Sequence, residues 1–334
     1  MSLEQEIKDQ ALSLGFDAVG ITDTAPLGAE HVEHFERWLR SGCAGRMEYM
    51  HRHLEKRLDP AQLRRGARSV IVVALNYRPP PTQDAGTATH AGTGRVAMYA
   101  QYEDYHQFIR APLRELAGFI CMRTHQQDRF KVCVDSAPVA EKALAVRAGL
   151  GFIGKNHLLI HPQLGPQILL GELLTSVPLQ PDQPVEGACL NCNRCVAACP
   201  TGALRPDGLL DASRCISYLT QYGSRGEWNS GMMERWNNGE KTARHSRPLG
   251  DWLFGCDECL CACPFHEKAP ACANRRFRHY PERAKLSLPD LLELSPDAFE
   301  ARFHDSPLKR LGLESVKCNA RRCAESQIAD SEGI

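Results

Sequence analysis

Cys189-Leu-Asn-Cys192-Asn-Arg-Cys195-Val-Ala-Ala-Cys199-Pro200 is the stretch on which the reading of this chain turns. Three thiols spaced C-x2-C-x2-C reach three irons of one [4Fe-4S] cube, while the proline after Cys199 swings the fourth thiol toward a second cube. One run therefore predicts two clusters. A matching run ending at Cys263-Pro264 has Cys259 and Cys256 in place, but Leu253 stands where a further cysteine would fall. The nearest free candidate is Cys215, in Arg214-Cys215-Ile216-Ser217. Counting thus assigns Cys189, Cys192, Cys195 and Cys263 to one cube, and Cys199, Cys215, Cys256 and Cys259 to the other. Cys261, two residues from both Cys259 and Cys263, is left as a bystander.

Paired C-x2-C elements also build four-cysteine zinc sites, but a zinc ribbon has no use for the third and fourth cysteines of the first run or for the second Cys-Pro. The other cysteines, Cys43, Cys121, Cys133, Cys272, Cys318 and Cys323, are scattered, as ordinary free thiols are. The opening MSLEQEIKDQALSLGF carries neither the apolar run of a signal peptide nor a twin-arginine signal, so a reducing cytoplasm is expected rather than disulfides. The longest apolar runs, Ser69–Leu75 and Ile168–Leu174, fall far short of the ~20 residues of a membrane span. With 40 basic and 40 acidic side chains the net charge is zero, so a nucleic-acid partner would have to be met by a local patch.

Along residues 1–180, helical and strand signals alternate. Helices are expected over Glu4–Leu14, Ala29–Leu39, Asp104–His125 and Val139–Ala148. Strands are expected over Asp17–Thr22, Val70–Leu75, Gly94–Tyr99 and Phe130–Asp135, with two short ones near Leu158 and Leu169. Gly149-Leu-Gly151-Phe-Ile-Gly154 matches a dinucleotide-binding pattern, yet it follows a helix where that site needs a strand. The fold class expected is an α/β (α+β) N-terminal domain over residues 1–180, then a ferredoxin-like two-[4Fe-4S] module over 181–270. A basic, partly helical tail occupies 271–334, with its helix near Leu286–Phe303.

The segments Val134-Asp135-Ser-Ala-Pro138-Val-Ala-Glu141, Ala148-Gly-Leu-Gly-Phe-Ile-Gly-Lys-Asn156 and Leu170-Gly-Glu-Leu-Leu-Thr175 closely resemble epoxyqueuosine reductases. So do Arg57-Leu-Asp-Pro60, Gly66-Ala-Arg-Ser69, Asp104-Tyr-His106, Arg214-Cys-Ile-Ser-Tyr-Leu-Thr220 and Phe254-Gly-Cys-Asp257, in an order specific to that family. The resemblance implies a cobalamin and two [4Fe-4S] clusters, and conversion of epoxyqueuosine to queuosine at the wobble position of tRNA. The family's cluster ligands match the eight cysteines reached by counting. Asp135 matches the family's general acid, and a carboxyl pressed between a corrin and apolar walls is expected to have a raised pKa. Arg57, Tyr99, Asp135, Asn156, His157, Leu159, Leu170, Ser217, Asp257 and Glu258 lie in or beside segments that look like the family's corrin-contacting ones. The resemblance suggests no axial role for His157, and Leu159 and Leu170 also suit a strand core.

A tRNA substrate calls for basic and aromatic side chains that meet phosphates and stack on splayed bases. Arg225, Trp228, Arg235, Trp236, Lys241, Arg244 and Arg247 are candidates between the cysteine runs, and Arg275, Arg276 and Arg278 after them; a solvated loop of ordinary charges is the other reading. Forty residues intervene between Cys215 and Cys256, more than is typical of the family, and Ser315–Cys323 is more polar than the family's usual ending. Two other functions fit the motifs: a dehalogenase-like corrinoid reductase of a small molecule, and a non-catalytic electron carrier. The first usually brings an export signal and a tyrosine donor; the second leaves the Asp135 motif without a task. An external low-potential electron donor, a monomeric state and no membrane association complete the expectation.

Overall fold

The computed structural model describes residues 1–81, 92–125, 130–189, 191–223 and 249–331. Its strands are β1 (Ala18–Asp23), β2 (Ser69–Asn76), β3 (Thr93–Val96), β4 (Lys131–Cys133), β5 (Phe152–Ile153), β6 (Leu159–Ile160), β7 (Ile168–Thr175), β8 (Trp252–Phe254) and β9 (Lys285–Ser287). Four of them lie side by side as an antiparallel sheet in the order β1-β2-β7-β4. All eight residues of β2 are buried because both faces of the sheet are covered. Ile71, Val73 and Leu75 join one core with the helices Leu3–Ser13 and Tyr105–Thr124, whereas Val70, Val72 and Ala74 join a second core with the helix Glu141–Arg147. The two-residue side-chain period of a strand sorts them between the two.

Asp104 starts the longest helix, Tyr105–Thr124, by accepting the backbone N–H of His106 on its own side chain at 3.0 Å. That helix seats closely on β7, since a Cβ on Gly171 would stand 2.6 Å from Cγ2 of Ile109. β4 is shorter than its sequence pattern suggests: it ends at Cys133, and Asp135 lies outside it with φ of +54°. The expected strand Gly94–Tyr99 likewise stops at Val96, and Met98–Gln101 forms a 3-10 turn that turns Tyr99 away from the ladder.

A second sheet, in the order β8-β3-β9, draws its strands from all three expected segments of the chain. Leu286 and Ser287, at the start of the expected helix, belong with Lys285 to strand β9, and two helices follow, Leu288–Leu292 and Pro296–Phe303. Ser287 and Ser295 cap these helices with a proline close behind, a start signal that splits the expected single helix into two. A further helix, Leu313–Ser331, is absent from the sequence expectation; Val316, Ala320 and Cys323 seat it in a core with Leu253, Phe254, Leu286 and Phe303. Asn319 of that helix is fully buried and donates Nδ2–H to the carbonyls of Thr220 at 2.8 Å and Leu253 at 3.1 Å. The C-terminal segment therefore clamps the helix Ile216–Tyr222 onto β8, which fixes Cys215 relative to Cys256.

Phe303 is fully buried at the centre of this core. Phe303→Ala is expected to lower stability by about 3–5 kcal/mol, read as a shifted denaturant midpoint; a shift under about 1 kcal/mol would mean that the C-terminal core contributes little.

Candidate active site

The pre-proline cysteines Cys199 and Cys263 both have extended backbone, with ψ of 111° and 128°, as clash with the proline ring requires. Cys263 is close enough to feel the charges of Cys189 and Cys192, and Cys195 those of Cys189 and Cys263. Cys215 feels Cys199, Cys256 feels Cys259 and Cys215, and Cys259 feels Cys215 and Cys199. These interactions accord with the two sets counted in the sequence, and Cys259 also feels Cys195, so the sets adjoin. All fifteen cysteines are free. Among the described residues no three His, Cys, Asp or Glu side chains close on a single metal ion. Lys155 donates its backbone N–H to Sγ of Cys189 at 3.3 Å, tying the segment that carries Asn156 and His157 to the first thiol group.

Asp135 lines a cavity of about 810 Å³ with Arg57, Tyr49, Tyr222, Glu141 and His157. Its Oδ2 accepts the Tyr105 hydroxyl at 2.9 Å and meets Nε2 of His106 at 3.1 Å. Nδ1 of His106 lies 2.6 Å from Oδ1 of Asp104, and Arg310 brings Nη1 to 2.8 Å from Nε2. Asp104, His106 and Asp135 therefore form a line, with one imidazole between two carboxyl groups. Burial alone would lower the His106 pKa, but hydrogen bonds to Asp104 and Asp135 outweigh it and raise the value. The hydrogen bond from His106 lowers the pKa of Asp135, against the smaller opposing effect of burial. This corrects the expectation of a raised Asp135: the hydrogen bond with the imidazole at 3.1 Å outweighs burial. With Nδ1 committed to Asp104, a proton can be exchanged along the Nε2···Oδ2 contact, and Arg310, 2.8 Å from Nε2, can donate to that nitrogen when it carries a lone pair.

Among the other expected corrin neighbours, Arg57 donates to the carbonyl of Val139 at 3.4 Å, and its buried Nε has no partner among the described residues. Asn156 is buried, accepts the Leu158 N–H on Oδ1 at 3.2 Å and leaves Nδ2 unpartnered. His157, with φ of +59°, lines this cavity and an adjoining one of about 1560 Å³; burial and Lys142 depress its pKa to about 4, so it is neutral. Tyr99 is buried enough to raise its hydroxyl pKa and feels the charges of both Asp257, next to Cys256 in the chain, and Asp135. Asp257 is buried and accepts the Met98 N–H at 2.7 Å, and Glu258 pairs with Arg95 at 2.9 Å. Ser217 sits in the helix behind Cys215. Leu159 and Leu170 pack in the core under the helix Glu141–Arg147 and line neither cavity.

Arg275, Arg276 and Arg278 are exposed around the buried Phe277. Arg278 donates to the Tyr280 hydroxyl at 2.9 Å; Tyr280 also bonds Asp305, whose carbonyl accepts the Asp104 N–H at 2.6 Å, so this basic strip abuts the Asp104–His106 pair. Arg225, Trp228, Arg235, Trp236, Lys241, Arg244 and Arg247 lie outside the described residues. Sequence reasoning quoted Asp104-Tyr-His106, Glu141 and Glu172 within motifs but gave them no task, and it did not single out Arg310. Only tertiary contact reveals what they do.

Fold and thiol groups together define a two-cluster iron–sulfur protein built on an α/β body. Residues 188–266 match the family described as "4Fe-4S double cluster binding domain", and residues 57–136 match "Epoxyqueuosine reductase QueG, DUF1730". An epoxyqueuosine reductase from Pseudomonas aeruginosa is 39% identical over 316 residues, covering 93% of this chain and 82% of that protein. An epoxyqueuosine reductase crystallised with an epoxyqueuosine-modified tRNA-Tyr stem loop matches with a TM-score of 0.84 at 30% identity, over 98% of this chain and 82% of that one. The same scores, 0.84 and 30% over 98% and 82%, hold for the Bacillus subtilis enzyme solved with its catalytic aspartate loop swung out of the active site. The chain belongs to the epoxyqueuosine reductase family. Among the described residues no helix is long and apolar enough to cross a membrane.

The raised His106 pKa fixes the sign of a pH effect. Its stabilisation is complete below the ordinary value of about 6.5 and is lost as pH rises through the folded-state value. His106→Gln should therefore lie furthest below wild type in urea midpoint near pH ~6, with the gap narrowing toward pH ~9; a gap that is constant with pH would contradict the hydrogen-bonded imidazolium.

Proposed function

We propose that this chain reduces epoxyqueuosine to queuosine at the wobble position of tRNA, with Asp135 as proton donor. The observation that carries the reading is the Asp104–His106–Asp135 line, which ends at an acid that lines a cavity together with Arg57, whose buried Nε has no partner among the described residues. Opening an epoxide to an alkene takes two electrons and two protons and releases water. Bound cobalamin, fed by two [4Fe-4S] clusters, supplies the low-potential electrons. His106 would pass a proton to Oδ2 across their 3.1 Å contact while Asp104 holds Nδ1, and Asp135 would hand it on to the epoxide oxygen. The hydroxyl of Tyr105, kept protonated by burial, aims Oδ2.

Cys189, Cys192, Cys195 and Cys263 would hold one cluster, and Cys199, Cys215, Cys256 and Cys259 the other, the two adjoining at Cys195 and Cys259. Arg57 and Asn156 fit a corrin, whose amide side chains offer carbonyl acceptors to the orphaned Nε–H and Nδ2–H. Tyr99, His157, Ser217, Asp257 and Glu258 are assigned to the corrin wall or its support, and Leu159 and Leu170 to the core behind it. Arg275, Arg276 and Arg278 are assigned to tRNA phosphates. Residues 1–180 then act as the corrin-binding catalytic part, 181–270 as the cluster module and 271–334 as a tail that completes the site through Arg310. The Asp135 segment is taken as the counterpart of the loop that swings in the Bacillus subtilis enzyme. A cytoplasmic monomer drawing on an external electron donor accords with this reading.

Asp135→Asn is expected to keep both clusters and cobalamin while losing about 100-fold or more in turnover of epoxyqueuosine-containing tRNA; near wild-type turnover would refute Asp135 as donor. Cys215→Ala should bring iron from about eight toward about four per chain and leave one cluster's EPR signal. Unchanged iron and spectrum would refute that ligand assignment.

A further inference from the structure

We propose that Glu141 is the latch of the Asp135 loop: its carboxylate, set against the buried carboxyl of Glu172, holds the loop in the site by accepting the Asp135 N–H. That bond is 2.6 Å, to Oε1. Asp135 is one of few non-glycine residues here with positive φ, +54°, a conformation that persists only where the surroundings hold it. Its side-chain bonds, to Tyr105 and His106, are disturbed whenever Oδ2 gives up or takes a proton. A bond to the backbone is not, so Glu141 can keep the loop in place through the proton transfer. Glu141 is thus a positioning residue.

Glu172 gives the latch its setting. It occupies the middle of β7, fully buried between Val72 of β2 and Cys133 of β4, on the face covered by the helix that Glu141 begins. Among the described residues no donor reaches either of its oxygens. Its neighbour is the Glu141 carboxyl, and two carboxyl groups can bond only through a proton on one of them. The Asp135 N–H donates to Glu141, and among the described residues no donor reaches Glu172, so charge in the pair is favoured on Glu141; burial and the charges of Glu141 and Asp135 push the Glu172 pKa well above the usual range in the same sense.

The groups facing Glu141 are the carboxyls of Asp135 and Glu172, the cations Lys142, His106 and Arg57, and the uncharged Tyr105 and Cys133. Burial, then Asp135, push Glu141 up to about 7. Below that pH a protonated Glu141 is a weaker acceptor and the loop loosens.

The effect on turnover rests on Asp135 being the proton donor; the latch itself does not. Hydrogen exchange of residues 134–140 in the cluster- and cobalamin-loaded protein tests it. Glu141→Ala should speed exchange of these amides by ~10-fold or more and lower kcat, with iron and cobalamin content unchanged. Glu141→Gln keeps an oxygen acceptor, so it should retain protection and most of kcat, and lose the extra loosening that wild type shows below about pH 7, after correction for intrinsic exchange. Glu172→Gln places an amide donor against Glu141 and should move that loosening to lower pH. Unchanged protection in Glu141→Ala, or a Glu141→Gln as unprotected as Glu141→Ala, overturns the latch. Loss of protection with full turnover keeps the latch and removes Asp135 as donor.

Discussion

Each thiol group takes one cysteine from the other run. In the proposed assignment Cys263 closes the group begun by Cys189, and Cys199 leaves its own run to join Cys215, Cys256 and Cys259; the electrostatic contacts among these thiols accord with it. Interleaving of this kind places eight side chains correctly only if the chain between the runs folds back to a fixed position. The helix Ile216–Tyr222, strand β8 and the Asn319 clamp provide that position. Leu253 shows the consequence: it stands where the repeated spacing would place a cysteine and is instead a fully buried core residue of the strand that brings Cys256 home.

The proton-handling line has the same dependence on distant segments. Asp104 caps one helix, Asp135 leaves the edge strand of the sheet, Glu141 opens a second helix, and Arg310 arrives from the C-terminal part. Sheet register brings Glu172 under this group, and Gly171 lets the Tyr105–Thr124 helix come close enough for His106 to reach Asp135. Charge is arranged in alternation, so that each carboxyl faces a donor or shares a proton. Burial acts to raise the Asp135 pKa, and the hydrogen bond from the imidazole beside it outweighs burial and lowers it.

Local chemistry was legible in the sequence where spacing alone carries it. The cysteine runs, the apolar strands β2 and β7, and the helices beginning at Ala29 and after Asp104 follow from short-range pattern. The C-terminal helix escaped because it is seated by small or weakly apolar residues, Val316, Ala320 and Cys323, among charges. Lys285–Ser287 escaped because its strand exists only through pairing with β3, about 190 residues earlier in the chain. Glu172 in an apolar strand and His106 after a helix cap look like ordinary surface residues until tertiary contact places a carboxyl beside each. The Asp135 pKa was misread for the same reason: desolvation can be guessed from neighbours in sequence, whereas a hydrogen bond from His106 cannot.

The central claim is that the two thiol groups, the corrin cavity and the Asp135 line act as one reductase of modified tRNA. An anaerobic single-turnover reaction of the reconstituted protein, with cobalamin, a strong reductant and epoxyqueuosine-containing tRNA, followed by mass spectrometry of the nucleosides, tests it most directly. The account predicts queuosine at the expense of epoxyqueuosine, up to the amount of enzyme present. Epoxyqueuosine left intact by a protein that carries cobalamin and both clusters would contradict it.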